Sequence, residues 1–127
     1  MKNVHFSSMR LNWATPSNIY DELNNEFNFD YDPCPLNPKF DGLHSEWGKS
    51  NFVNPPYGRQ IGKWIKKGFE EWHKCKTVVF LIPSRTDTIW WHDYCMMATE
   101  IRFIKGRLHF DSHKNSAPFP SAIVIFK

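Results

Sequence analysis

Cysteine is scarce in this chain of 127 residues, and the patterns that accompany cysteine chemistry are missing. Cys34, Cys75 and Cys95 form no C-x-x-C pair and leave an odd thiol over, so a disulfide framework is not expected. The six histidines show no metal-ligand spacing, and we expect no metal site. A reducing cytoplasm is the compartment that this cysteine usage favours.

Long hydrophobic runs are also absent. No apolar stretch approaches the ~20 residues of a membrane-spanning helix, and the N-terminus lacks a signal-peptide core, so we expect a soluble protein that is not exported. The net charge of +3 is compatible with nucleic acid but does not decide the partner. The length predicts one domain, residues 1–127, with a core of few, large side chains, since there are 11 Phe and 6 Trp.

The clearest chemistry lies between Asn51 and Gly58, where a short apolar strand ends in Asn54-Pro55-Pro56-Tyr57. An exocyclic amine on a conjugated ring, such as N6 of adenine, is a poor nucleophile because its lone pair is delocalised. Acceptors aimed at its N–H groups favour a tetrahedral nitrogen and stabilise the charge that develops during attack. The Asn54 side chain and the Pro55 carbonyl suit this task, and consecutive prolines hold the backbone still. Tyr57 offers a ring on which a flipped base can stack.

Strands alternate with amphipathic helices from Thr15 to Ala98, which predicts a three-layer α/β domain. We expect about five strands, mostly parallel, with the last antiparallel and the Asn51–Asn54 strand central. The predicted elements are a helix started by Thr15-Pro16 and reaching Phe27, strands at Phe27–Asp32 and Asn51–Asn54, a helix from Ile61 to Lys74, a strand at Thr77–Ile82, a helix from Thr88 to about Ala98 with Trp90, Tyr94 and Met97 inward, and strands at Ile101–Ile104 and Ala122–Phe126.

Pro83 to Thr88 follows a predicted parallel strand, so these residues should share a crevice with Asn54 to Tyr57. Ser84 is explained equally well by capping of the next helix. Arg85 suits a phosphate or base contact, because capping does not need a guanidinium. Gly106-Arg107 is placed where a bulge or a sharp bend would lift Arg107 out of the sheet.

In these blocks the chain resembles the small phage-type DNA N6-adenine methyltransferases, a branch of the S-adenosylmethionine-dependent class I methyltransferases. The matching blocks run in order over nearly the whole chain: Trp13 to Pro16, Asp32 to Cys34, Trp47, Asn54 to Tyr57, Leu81 to Thr88, Gly106 to Phe110 and Ser121 to Lys127. The resemblance implies a trimmed, Rossmann-like sheet and direct methyl transfer from S-adenosylmethionine to N6 of adenine in double-stranded DNA. It also implies a bacteriophage or prophage protein in the cytoplasm of a bacterial host, as a monomer or homodimer.

The candidate site residues form three groups. They are Asn54, Pro55, Pro56 and Tyr57 for catalysis; Trp13, Thr15, Pro16, Asp32, Cys34 and Asn54 for the cofactor; and Arg59, Ser84, Arg85, Arg107 and Lys114 for DNA. Trp13 is explained equally well as a core aromatic, and Asp32 as a turn-forming residue before proline. Cys34 is distant in sequence from Asn54, so no covalent intermediate on cysteine is expected.

The chain departs from the resemblance in two places. Prolines replace the glycine-rich turn after the first strand, and Pro38 to Ser50 is too short for further strand–helix units. Asp41 and Glu46 are alternative ribose contacts, with no reason to choose between them. Three alternatives therefore stay open: methylation of a glutamine, methylation of an RNA amine, and a non-catalytic domain that binds cofactor or nucleic acid. Little surface is left for reading bases, which predicts a short or relaxed sequence preference and strong salt sensitivity.

Overall fold

The computed structural model of the protein describes residues 14–36, 38–110 and 116–127. In chain order these residues form helix α1 (Ser17–Phe27), strand β1 (Ser50–Val53), helix α2 (Ile61–Trp72), strand β2 (Thr77–Pro83), helix α3 (Ile89–Asp93), a 3₁₀ helix (Cys95–Met97), strand β3 (Glu100–Phe103) and strand β4 (Ser121–Phe126). The mixed α/β class predicted from the sequence is confirmed. No helix in these ranges has the length and apolar character needed to cross a membrane.

The strands form one open sheet in the order β1-β2-β4-β3. β1 pairs with β2 in parallel, and β4 runs antiparallel to both β2 and β3. Three strands therefore point the same way and the last one opposes them, as predicted. β2 and β4 are central and almost wholly buried, as expected of a strand covered on both faces.

The predicted strand count and the predicted position of β1 are wrong for the described residues. Four strands are present rather than about five, and β1 lies at the edge of the sheet. The Phe27–Asp32 segment contributes only a parallel bridge between Tyr31 and Asn51. The Asp30 carboxylate accepts the backbone N–H of Ser50 at 3.1 Å. In a longer strand, a backbone carbonyl would accept this N–H instead.

Helices cover both faces of the sheet. The Tyr20 ring of α1 packs edge-on against Phe52, with ring centroids 5.2 Å apart. On the other face α2 approaches so closely that a Cβ at Gly68 would lie 2.3 Å from Phe80 Cζ. α3 lies on this second face, where Trp91 stacks with Phe103 at 6.3 Å. The site therefore forms at the end of a sheet packed between helices.

Two helix predictions need correction. α1 begins at Ser17 with Pro16 as its N-cap, and the backbone N–H groups of Ile19 and Tyr20 bond to the Pro16 carbonyl. The Thr15 hydroxyl is therefore not the cap. The single helix predicted from Thr88 to about Ala98 is instead the short helix α3, which ends at Asp93, followed by the 3₁₀ helix.

The inward residues of α3 differ in part from the prediction. Trp90 and Tyr94 are partly buried and pack against the core, as predicted, but Trp91 and Cys95 are fully buried and Met97 is 58% exposed. The fully buried positions thus fall one residue after the predicted Trp90 and Tyr94.

A buried charge cluster fixes the segment before β1. Glu71 is fully buried and accepts hydrogen bonds from Lys67, Lys74 and Lys76. Burial alone would raise the pKa of Glu71, but these bonds lower it to about 2. Trp47 joins the cluster because its backbone N–H donates to Glu71 and its carbonyl accepts from Lys76 at 2.8 Å. This cluster ties the short 38–49 segment to α2.

Candidate active site

The segment Asn54-Pro55-Pro56-Tyr57 leaves the carboxyl end of β1, beside the carboxyl end of its parallel neighbour β2. The Tyr57 hydroxyl donates to the Leu81 carbonyl of β2 at 3.1 Å. Two cavities open at this edge of the sheet, one lined by Asn54 and the other by Tyr57. The first residue of the segment thus lines one cavity and its last residue lines the other.

The first cavity, here called the polar pocket, has a volume of about 70 Å³. Its lining includes Thr15, Asp32, Cys34 and Asn54, so four of the six predicted cofactor residues come together. Asn54 Nδ2 donates to Thr15 Oγ1 at 3.0 Å, which holds the amide against the segment before α1. Two of the predicted residues fall elsewhere, since Pro16 is buried at the start of α1 and Trp13 lies outside the described residues.

Asp32 stabilises a turn and also lines the polar pocket. Its Oδ1 accepts the backbone N–H of Cys34 at 2.9 Å, which is the turn that the sequence suggested as one explanation. Burial raises the pKa of Asp32 to about 6, and the bond from Cys34 offsets only part of this effect. A hydrogen-bond donor or a cation bound in the pocket would therefore stabilise the charged form of this carboxyl group.

Cys34 is near Asn54 in space although distant in sequence. Burial, with a further contribution from Asp32, raises the pKa of the Cys34 thiol to about 12. A thiol with this pKa is protonated at neutral pH and is a poor nucleophile. The polar pocket is therefore suited to binding and not to covalent catalysis through cysteine.

The second cavity, here called the aromatic cleft, has a volume of about 320 Å³, within the range of small-molecule sites. Tyr57, Pro83 and Trp90 are among its lining residues, and Arg59 and Arg85 are exposed at its edge. The predicted crevice between the residues after β1 and those after β2 is therefore present. Its combination of rings and guanidinium groups suits a planar ligand attached to an anionic chain.

The Tyr57 ring is largely covered. Only 6% of the residue is exposed, and Phe119 and Phe110 pack against it edge-to-face at 5.3 and 6.4 Å. Burial raises the pKa of the Tyr57 hydroxyl well above its ordinary value, so it acts as a donor to Leu81 and not as a base. Only a small part of the ring is available to a ligand in the cleft.

The remaining predicted DNA residues are more dispersed. The Ser84 hydroxyl is buried and has no hydrogen-bond partner among the described residues, which places it behind the surface. Arg107 is exposed but does not line the cleft. It follows a bend at Gly106, whose φ is 76°, and this bend lies just after β3 ends at Phe103, so Arg107 is outside the sheet as predicted. Lys114 lies outside the described residues.

The two acids proposed as alternative ribose contacts are engaged elsewhere. Asp41 pairs with His44, and Glu46 pairs with Lys74 and Lys76. Neither acid lines the polar pocket, which leaves Asp32 as its one acidic residue within the described chain. Trp90 was not predicted as a site residue, because the helical period placed it in the core.

A comparison with known families adds an independent line of evidence. The model of the family described as DNA N-6-adenine-methyltransferase (Dam) matches residues 4–126, which include both cavities and the segment between them. No curated protein sequence matches the chain significantly. Since the match covers nearly the whole length, the chain belongs to the DNA N-6-adenine-methyltransferase (Dam) family, and its membership implies methylation of adenine in DNA.

Proposed function

We propose that this protein transfers a methyl group from S-adenosylmethionine to N6 of adenine in double-stranded DNA. The observation that carries the proposal is that the segment from Asn54 to Tyr57 lies between the two cavities, with Asn54 lining one and Tyr57 the other. Methyl transfer needs a donor on one side of the acceptor-binding group and a base on the other. The polar pocket supplies the first surface and the aromatic cleft supplies the second.

Asn54 is proposed to accept a hydrogen bond from the adenine amine. Its own amide N–H₂ donates to Thr15, so its position is set before substrate binds. Pro55 supplies a second acceptor through its carbonyl, and Pro56 restricts the backbone at that point. The two acceptors favour a tetrahedral amine nitrogen and stabilise the positive charge that forms on it.

The polar pocket fits the hydrogen-bonding groups of S-adenosylmethionine. Thr15, Asp32 and Asn54 present a hydroxyl, a carboxyl and an amide to hydroxyl and amino groups. A volume of about 70 Å³ accommodates only part of the cofactor, so other residues complete its site. When bound, S-adenosylmethionine would supply an electrophilic methyl group for direct transfer. A carbon–nitrogen bond to the amine would replace the carbon–sulfur bond of the cofactor, S-adenosylhomocysteine would leave and the amine proton would pass to solvent, with no covalent enzyme intermediate.

Arg59 and Arg85 are proposed to hold the DNA backbone beside the cleft, with the target base flipped out of the duplex. The strand directions, with helices on both faces, support a trimmed Rossmann-like class I methyltransferase fold. Among the described residues, the polar side chains that line the cleft are those of Arg59, Arg85, Thr88 and Tyr57, which are few for reading base edges, so we propose a short or relaxed recognition sequence. Single-molecule sequencing of methylated genomic DNA measures this preference directly.

The test is to supply purified protein with labelled S-adenosylmethionine and, in parallel, DNA, RNA and protein acceptors. We expect label in DNA alone, recovered as N6-methyldeoxyadenosine after digestion to nucleosides. Label in cytosine, RNA or glutamine contradicts the proposal. Calorimetric binding of cofactor without turnover on any acceptor supports a non-catalytic domain instead.

A further inference from the structure

We propose that Trp90 is a substrate-binding residue whose indole forms the stacking surface for the flipped adenine in the aromatic cleft. This inference rests on the proposed function and assigns a residue on its acceptor side. Trp90 lies in α3 (Ile89–Asp93) and lines the cleft together with Tyr57, Arg59 and Arg85.

The exposure of the two cleft-lining rings differs in the direction that the proposal requires. Tyr57 is 6% exposed, because Phe110 and Phe119 cover it. Trp90 is only half-buried, and its larger ring offers more surface to a ligand. Aromatic stacking on a base depends on the area of ring that the base can cover, so Trp90 is the better platform.

The position of the indole is set by its neighbours. A methyl group added at Gly62 of α2 would lie 3.4 Å from Trp90 Cδ1, an ordinary van der Waals distance, so the indole packs beside this turn of α2. The centroid of the Trp91 ring lies 6.1 Å from that of the Trp90 ring. The Thr88 hydroxyl caps α3 by accepting the backbone N–H of Trp91, which fixes the helix start. A ring held in this way loses little conformational entropy when a base stacks on it.

The charges at the cleft suit a nucleotide rather than a free apolar ligand. Arg59 and Arg85 are exposed at the edge of the cleft that Trp90 lines. A base stacked on the indole would bring its flanking phosphates toward these guanidinium groups. Stacking by Trp90 and charge neutralisation by the arginines thus act on adjoining parts of one nucleotide.

The probe is a mixed-sequence duplex with one 2-aminopurine opposite an abasic site, compared with the same duplex fully paired. An unpaired base costs less to flip, so the wild-type protein should prefer the first duplex. Trp90→Leu should weaken binding of that duplex by about 5- to 150-fold, which corresponds to ~1–3 kcal/mol per stacked base. Trp90→Phe should retain most of the affinity and most of the change in 2-aminopurine emission.

Ile89→Ala is the matched control, because Ile89 belongs to the same helix, is 80% exposed and does not line the cleft. It should bind both duplexes like the wild type, and melting curves of all variants should establish that each is folded. Equal binding of the unpaired duplex by wild type and Trp90→Leu overturns the proposal, as does an equal loss on both duplexes. Absence of methylation by the wild type would refute the proposed function alone, since the binding comparison does not depend on turnover.

Discussion

The polar pocket and the aromatic cleft adjoin the same four-residue segment but are built from different groups. The pocket, of about 70 Å³, presents a hydroxyl, a carboxyl and an amide. The cleft, of about 320 Å³, presents aromatic rings and exposed guanidinium groups. Hydrogen-bonding groups at fixed positions select one ligand, whereas flat rings and charges accept a base and its phosphates with little regard to sequence.

The two cavities also differ in what supports them. Behind the pocket, a Cβ at Gly42 would lie 1.9 Å from the Pro33 carbonyl oxygen, which is a clash with backbone. Behind the cleft, a Cβ at Gly62 would lie 3.4 Å from Trp90 Cδ1, which is ordinary contact with a side chain. The pocket therefore tolerates less change than the cleft, and the following substitutions test this difference.

The largest effect is expected at Asn54, between the two cavities. Asn54→Ala removes the proposed acceptor for the adenine amine, and we expect kcat to fall roughly 10²- to 10³-fold, as for the loss of one group that stabilises a transition state. Initial rates at varied DNA concentration should show little change in KM, because the cleft is intact. Thr15→Ser, which keeps a hydroxyl for the Asn54 amide, is the control. A rise in KM at unchanged kcat would place Asn54 in DNA binding instead.

Asp32 should make cofactor affinity depend on pH. Its pKa is about 6 in the folded protein, so the carboxylate proposed to accept cofactor donors is lost as the pH falls through that value. We expect S-adenosylmethionine affinity to fall by about 10-fold or more, the difference between a charged and a neutral acceptor. Calorimetric titrations across this range measure it. A pH-independent affinity in the wild type would remove Asp32 from the cofactor site.

The Asp32 carboxyl group should also make the stability of the fold depend on pH, in the direction opposite to its effect on cofactor affinity. Its pKa is raised from 3.8 to about 6 by folding, so between these values the unfolded chain has lost a proton that the folded protein retains. Stability therefore falls as the pH rises through this interval, and the penalty persists above it. Asp32→Asn should melt higher than wild type near neutral pH, and the gain should vanish below about pH 4. A constant difference at every pH would contradict this assignment.

Elements with a local signal were predictable from the sequence. β2 and β4 are continuous apolar runs, and both are central and buried as such runs predict. The α2 pattern likewise placed Ile61, Trp64 and Ile65 in the core. The crevice shared by Tyr57, Pro83 and Arg85 followed from the rule that ligands bind at the carboxyl ends of parallel strands.

The failures depend on contacts between distant residues. The Thr15 hydroxyl has the sequence pattern of a helix cap but bonds to Asn54, 39 positions away. The Phe27–Asp32 strand is reduced to a bridge, and beside it the Asp30 side chain bonds to the backbone of Ser50, 20 positions away. A change of one residue in the register of α3 decided that Trp91 is buried and Trp90 lines the cleft. Periodicity alone does not resolve such a shift in a helix of five residues.

The two glycines behind the cavities provide a paired test of rigidity. Gly42→Ala should force the Pro33 backbone to move, lowering stability by about 1–3 kcal/mol as in overpacked cores and weakening cofactor binding. Gly62→Ala should fit, and its better helix propensity should leave the protein as stable as wild type or up to ~1 kcal/mol more stable. Denaturant melts and cofactor titrations measure both effects. Equal destabilisation by the two substitutions would show that the cleft wall is as rigid as the pocket.

The smallest effect is expected from the arginines at the edge of the cleft. Arg85→Ala should reduce the slope of log affinity for DNA against log salt concentration by ~0.9, the loss of one phosphate contact. Between low and moderate salt this alters affinity only a few-fold, and cofactor affinity should not change because Arg85 does not line the polar pocket. Lys66→Ala is the control, since Lys66 is exposed on α2 away from the cleft and should leave the slope unchanged. If Arg85→Ala instead broadens the set of methylated sequences at an unchanged slope, the guanidinium reads a base, and the cleft contributes specificity that its construction from rings and charges does not suggest.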